Sequence, residues 1–186
     1  FTIIGGHADG NGEYGGGIYI TGDNTGGGVY SVERCFFINN YATQGGAVYV
    51  GDAVKNVSNN TSLINQCVVY NNVAGERSAL ENKAGGIYLA GEGTVVNTSI
   101  FNNENGGVKL SSGSTIVNCT VARNTGSGID MIEADVSDYT VFNSIVGGNT
   151  TLSTSDSYRP KFKNSAFHEA VAGDKDGNIY VSKENR

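Results

Sequence analysis

The chain is 186 residues long, with 28 glycines, 22 asparagines, one proline and no tryptophan; its formal net charge is −6 at pH 7 and its isoelectric point about 4.8. Glycine without a three-residue period excludes a collagen, and no apolar run approaches the roughly 20 residues of a spanning helix. Frequent short Val/Ile/Tyr/Phe runs with little Pro or Glu exclude a disordered chain.

In chain order, Thr2, Ile4 and His7 read as the end of one copy of a repeat whose full form appears later. The segment Gly15-Gly16-Gly17-Ile18-Tyr19-Ile20 opens the first clear motif. It recurs as Gly45-Gly46-Ala47-Val48-Tyr49-Val50, Ala84-Gly85-Gly86-Ile87-Tyr88-Leu89, Asn105-Gly106-Gly107-Val108-Lys109-Leu110 and Gly126-Ser127-Gly128-Ile129-Asp130-Met131. The starts lie 30, 39, 21 and 21 residues apart, and Gly177-Asn178-Ile179-Tyr180-Val181 reads as a sixth copy.

A second motif interleaves with the first. Cys35, Cys67, Thr98, Cys119, Ser144 and Ser165 are one equivalent position. Three residues before it stand Val32, Ile64, Val95, Ile116, Val141 and Phe162. Two residues after it stand Phe37, Val69, Ile100, Val121, Val146 and Phe167, all apolar. Five residues after it stand Asn40, Asn72, Asn103, Asn124 and Asn149, with Ala170 breaking the sixth copy. Each repeat is expected to hold two short strands, with Gly-Gly before one and Asn after the other.

A 21-residue spacing is enough for one coil of a solenoid and too short for a strand–helix–strand unit. Helical periodicity is absent except over Glu76–Lys83, which reads as a loop insertion. The pattern predicts an all-β right-handed parallel β-helix of about six to seven coils, roughly 34 Å long at the ordinary strand spacing. Residues 1–158 supply the coils, and 159–186 form a divergent last coil or tail of the same domain. The Asn column is expected to form a ladder, its residues adopting the left-handed conformation at the turn. The three cysteines fall in a small inward column, which argues for buried, unpaired thiols.

The pairing of Phe37-Ile38-Asn39-Asn40 with Gly45-Gly46-Ala47-Val48 resembles the repeats of polymorphic outer-membrane proteins and related bacterial adhesins. The strands Val117-Asn118-Cys119-Thr120-Val121 and Phe142-Asn143-Ser144-Ile145-Val146-Gly147-Gly148-Asn149 resemble β-helix proteins of the pectate-lyase-like superfamily. That resemblance implies an extracellular or cell-surface bacterial location. It also implies either adhesion or chemistry on polysaccharides, by a lyase or a glycoside hydrolase.

A hydrolase of this kind needs carboxylates facing one another across a groove, and a lyase needs a base beside an acidic sugar. The acids that could serve are Asp130, Glu133, Asp135 and Asp138, one turn from Lys109. Asp130 is placed by alternation on the outer side of its strand. Neither His7, read in the Asn turn column, nor His168 has a partner at ligand spacing, so no zinc site is expected. Asp174, Asp176 and Asn178 alternate like part of a calcium loop but lack its closing glutamate. They read as a turn, and no cofactor is assigned.

Alternation also turns Tyr19, Tyr49 and Tyr88 outward, continued by Lys109 and Asp130. Three exposed tyrosines one strand spacing apart would form an aromatic strip able to stack on sugar rings. The basic residues gather in 159–186, which holds six of twelve, leaving an acidic body. Such a body excludes nucleic acid as the main partner. The sequence thus predicts a binding module for a polysaccharide or cell-surface glycan, with no membrane span. A polysaccharide-cleaving enzyme and a structural spacer are the alternatives. A start in mid-coil fits a segment of a longer chain.

Overall fold

A computed structural model of the chain describes residues 1–10, 13–21, 30–51, 62–75, 83–111, 113–132, 140–151, 161–167 and 177–180. Among these residues all regular structure is β, in strands of two to four residues that pair in parallel. One turn of the chain shows the plan. Val48–Val50 lies on a five-stranded face, Ser62–Asn65 on a six-stranded face, Val68–Tyr70 on an eight-stranded face and Val73–Ala74 on a three-stranded ribbon. Ile87–Leu89 then returns to the five-stranded face, with Ile87 beside Val48 and Tyr88 beside Tyr49.

Each repeat therefore has more strands than the two expected. The second motif is split by a bend at the residue before the Cys/Thr/Ser column. That residue has positive φ at Arg34, Gln66, Asn97, Asn118, Asn143, Asn164 and Gly177. A second bend precedes the Asn column, with positive φ at Gly5, Asn39, Asn71, Asn102, Arg123 and Gly148. The left-handed residue is thus the one before each ladder asparagine and not the ladder asparagine itself. One left-handed residue between two extended stretches turns the chain sharply, which is why Asn and Gly recur there.

The two columns that follow these bends are buried and hydrogen-bonded along the axis. Oδ1 of Asn103 accepts from the backbone N–H of Asn72 and from its Nδ2, both at 3.0 Å. Nδ2 of Asn103 donates to Oδ1 of Asn124 at 3.0 Å and to the Val69 carbonyl at 3.1 Å. The pattern runs from Asn40 through Asn149, and the backbone of Gly6 joins its open end by donating to Asn40 Oδ1. His7 consequently lies one position beyond the column expected for it, paired with Tyr41 on the ribbon and stacked on its ring at 4.7 Å. Ile3, and not Ile4, is the partner of Phe37.

The Cys/Thr/Ser column is a second ladder. Backbone N–H groups donate from Cys67 to Thr98 Oγ1 (3.2 Å), from Cys119 to Ser144 Oγ (3.1 Å) and from Ser144 to Ser165 Oγ (3.1 Å). Ser165 donates in turn to Oδ1 of Asn178 at 2.8 Å. Position in this column requires a small acceptor that also donates back to a carbonyl, as Cys119 Sγ does to Val117 at 3.2 Å. All three cysteines are free and buried. Burial pushes the Cys67 thiol up, and pushes that of Cys119 to about 11.

The same column corrects the reading of 177–181. Ile179–Tyr180 pairs with Ala166–Phe167 on the eight-stranded face and is not a sixth copy of the glycine motif. Inside the coil, the apolar columns Val32 to Phe162 and Phe37 to Phe167 join the inward residues of the five-stranded face in one core. Glycine precedes that last face because the rungs approach closely there. A Cβ on Gly107 would stand 2.6 Å from the Gly128 carbonyl oxygen and 2.9 Å from Val121 Cγ1.

Candidate functional site

Side chains that point away from the core fall in columns, one per face, and each column has its own chemistry. On the five-stranded face the register aligns Tyr19, Tyr49, Tyr88, Lys109 and Asp130, as alternation predicts. The expected exposure does not follow. Tyr19 is 51% exposed, but Tyr49 and Tyr88 are only 8% and 5% exposed, in a small cluster with Ala84 and Ala90 against which Tyr14 and Ile132 pack. The rings of Tyr49 and Tyr88 stack at 5.0 Å, Tyr14 stacks on Tyr49 at 4.4 Å, and Tyr19 meets Tyr49 edge-on at 5.5 Å. Rings stacked along the axis spend their faces on one another, so the row forms a second small core and no open aromatic strip.

Lys109 and Asp130 continue this row and are also buried, at 5% and 3% exposure. Lys109 Nζ lies 3.9 Å from Asp130 Oδ2, which accepts a 2.7 Å hydrogen bond from Ser127 Oγ. The structure therefore brings the two catalytic candidates together outside the main core, as a covered ion pair. Glu133, Asp135 and Asp138 lie outside the described residues, as do His168, Asp174, Asp176 and 76–82 of the segment read as a loop insertion. Asn178 is described, and its side chain serves the backbone of neighbouring rungs: besides accepting from Ser165, its Nδ2 donates to the Phe162 carbonyl at 3.0 Å. Among the described residues no three His, Cys, Asp or Glu side chains gather as metal ligands.

The eight-stranded face is different, and its surface was not singled out from the sequence. One outward column runs Thr2, Phe36, Val68, Ser99, Thr120, Ile145, Ala166 and Ile179. The other runs Ile4, Ile38, Tyr70, Phe101, Ala122 and Gly147. None of these residues is buried, and Ile4, Phe36, Ile145 and Ile179 are strongly exposed. None is charged, whereas the six-stranded face turns Glu33 and Lys163 outward. Tyr70 and Phe101 stack at 5.3 Å with ring planes 3° apart. The signal was present in strands apolar at every position, such as Phe36-Phe37-Ile38 and Val68-Val69-Tyr70. A strand with only one buried face needs apolar residues at alternate positions.

The two left-handed columns border this face. Exposed Gln66, Asn97, Asn118, Asn143 and Asn164 follow Arg34 along one edge, and exposed Asn39, Asn71 and Asn102 precede Arg123 along the other. Asn118 Nδ2 donates to Asn97 Oδ1, and Asn97 Nδ2 to Asn65 Oδ1, both at 3.3 Å.

This arrangement of short parallel rungs, axial ladders and columned faces defines a parallel β-helix. The chain matches the family model described as a right-handed β-helix region over residues 2–184, nearly its whole length, and it belongs to that family. Comparison with curated proteins and with solved structures gives no match. No helix among the described residues is long and apolar enough to cross a membrane.

Proposed function

We propose that the chain is a non-catalytic module of a secreted or cell-surface bacterial protein that binds a polysaccharide or cell-surface glycan through its eight-stranded face. The observation that carries this reading is the contrast between two outward rows. The side chains suited to acid–base work, Lys109 and Asp130, are covered and lie 3.9 Å apart as an ion pair. On the eight-stranded face no outward residue is buried, and Thr2, Ile4, Phe36, Thr120, Ile145 and Ile179 are exposed. Exposed apolar surface of this extent marks an interaction site more often than an inert surface. Tyr19 is the open end of an otherwise covered aromatic row, so the tyrosines carry no contact in this reading, and it assigns no metal.

The test is a glycan array read beside a depolymerisation assay on acidic polysaccharides, with and without Ca²⁺. Binding lost in the Phe36→Ser/Ile145→Ser variant, with no new reducing ends or unsaturated products, supports a binding module. Product formation that disappears in Asp130→Ala overturns it in favour of a polysaccharide lyase or hydrolase. One observation favours that second reading: Lys109 and Asp130 stand side by side outside the main core, on adjoining rungs.

A further inference from the structure

Resting on that reading, we infer that the ligand of the eight-stranded face is an uncharged linear polysaccharide lying along the solenoid axis, and not an acidic glycan.

Dimensions narrow the occupant first. Eight rungs at the ordinary strand spacing give a face about 34 Å long, and three residues per strand give a width of about 10 Å. The face is thus a strip more than three times longer than it is wide, whereas a stable protein–protein interface draws a broad patch of roughly 800 Å² of accessible surface from each partner. A second copy of this chain or another globular partner is therefore poorly served. An extended polymer, one chain wide, matches the long narrow shape.

Charge narrows it further. The chain has a net charge of −6, yet among the described residues the face and both borders carry no carboxylate. An anionic polysaccharide repeats its charge along the polymer and needs cations repeated at a similar interval. Among the described residues the cations of the borders are Arg34 and Arg123, on opposite edges and three rungs apart, about 14 Å along the axis. What repeats is the amide: Asn97, Asn118, Asn143 and Asn164 occupy successive rungs of one edge. The left-handed backbone accounts for asparagine at these places. Its consequence is a row of neutral donors and acceptors beside an apolar floor. Apolar floors with amide and hydroxyl rims suit sugar rings, whose C–H faces pack on the floor while their hydroxyls bond at the rim.

Affinity electrophoresis of the whole chain tests this, in gels cast with neutral hydroxyethylcellulose or with polygalacturonate. The expected result is retardation by the neutral polymer, unchanged by added salt, because no ion pair is screened. Ile145→Asp and Thr120→Asp, each with an unaltered far-UV circular dichroism spectrum, should weaken it by about tenfold or more, the cost of roughly 1.4 kcal/mol. Lys163→Glu, on the six-stranded face, should leave it as it is. Retardation by polygalacturonate alone, relieved by salt, overturns the inference and leaves the glycan-binding function standing. Retardation by neither polymer, with a concentration-dependent dimer abolished by Ile145→Asp, overturns both and makes the face an interface between copies.

Discussion

Replacing Asn103 by alanine isolates what the buried amide ladder does. The side chain makes four hydrogen bonds: Oδ1 receives two from Asn72, and Nδ2 gives one to Asn124 Oδ1 and one to the Val69 carbonyl. Asn124 Oδ1 still receives the Asn103 backbone N–H after the change, and Asn72 Nδ2 still reaches the Phe37 and Tyr70 carbonyls. The backbone N–H of Asn72 loses its acceptor inside a site with no solvent exposure, and the Val69 carbonyl loses a donor. An orphaned buried donor costs about 1–3 kcal/mol and the remaining lost bonds about 1 kcal/mol each. The variant should therefore be about 4–6 kcal/mol less stable, a large fraction of what a domain possesses. Urea denaturation followed by far-UV circular dichroism reads this as a shift of the midpoint. Asn118→Gly is the control, since Asn118 is exposed, its side-chain bond is 3.3 Å long and glycine tolerates its left-handed backbone; it should cost less than about 1 kcal/mol. Equal midpoints for the two variants would refute the ladder as a source of stability.

Three further outcomes follow from the same geometry. Cys119 has a folded-state pKa of about 11 against an ordinary 9.0; because the folded value is the higher, its stabilising contribution is complete below pH 9 and is lost as pH rises from 9 towards 11. Cys119→Ser, which keeps the ladder acceptor for the Thr98 N–H, should remove that slope at a cost of under about 1 kcal/mol, whereas Cys119→Val should cost about 2 kcal/mol. Asp130→Ala removes the carboxylate that stands 3.9 Å from the buried Lys109 Nζ and should lower the thermal midpoint, with a large part recovered in Lys109→Met/Asp130→Leu; thermal denaturation of the three proteins checks this. Gly107→Ala presses a methyl group onto the Gly128 carbonyl and Val121 and should cost about 1–3 kcal/mol in the same urea assay, although alanine stands at the equivalent position 47 two rungs earlier in the column.

The inward columns were legible in the sequence because they repeat. Val32 to Phe162 and Phe37 to Phe167 keep one chemistry in every copy, since each must fill the same cross-section of the coil. The ladder asparagines were legible for the same reason, down to their order. What misled the reading was phase. Thr2, Ile4 and His7 lie one residue out of register; a one-residue slip turns each side chain to the other face, but Ile3 and Ile4 are both apolar, so the pattern does not distinguish the two phases. The glycine before Asn178 had the look of the glycine motif, but a left-handed bend occurs at both kinds of corner, and Gly177 belongs to the other.

Outward columns are less legible, because alternation fixes which side of a strand a residue faces and not whether anything covers that side. Tyr49 and Tyr88 point away from the main core as expected and are buried all the same. Lys109 and Asp130, read as groups lining an open groove, are a covered pair for that reason. On the eight-stranded face the opposite holds: outward residues as apolar as Phe36, Val68 and Ile145 remain open. Each of these columns is chemically inconsistent with a solvated single sheet, the first because it stacks aromatic rings before an ion pair, the second because it lacks charge. In a repeat fold whose interior columns already supply stability, an outward column that departs from ordinary surface composition is where function is to be sought. The buried row departs by satisfying itself, through stacked rings and a covered ion pair. The open face departs without doing so, which is why the binding reading rests on it.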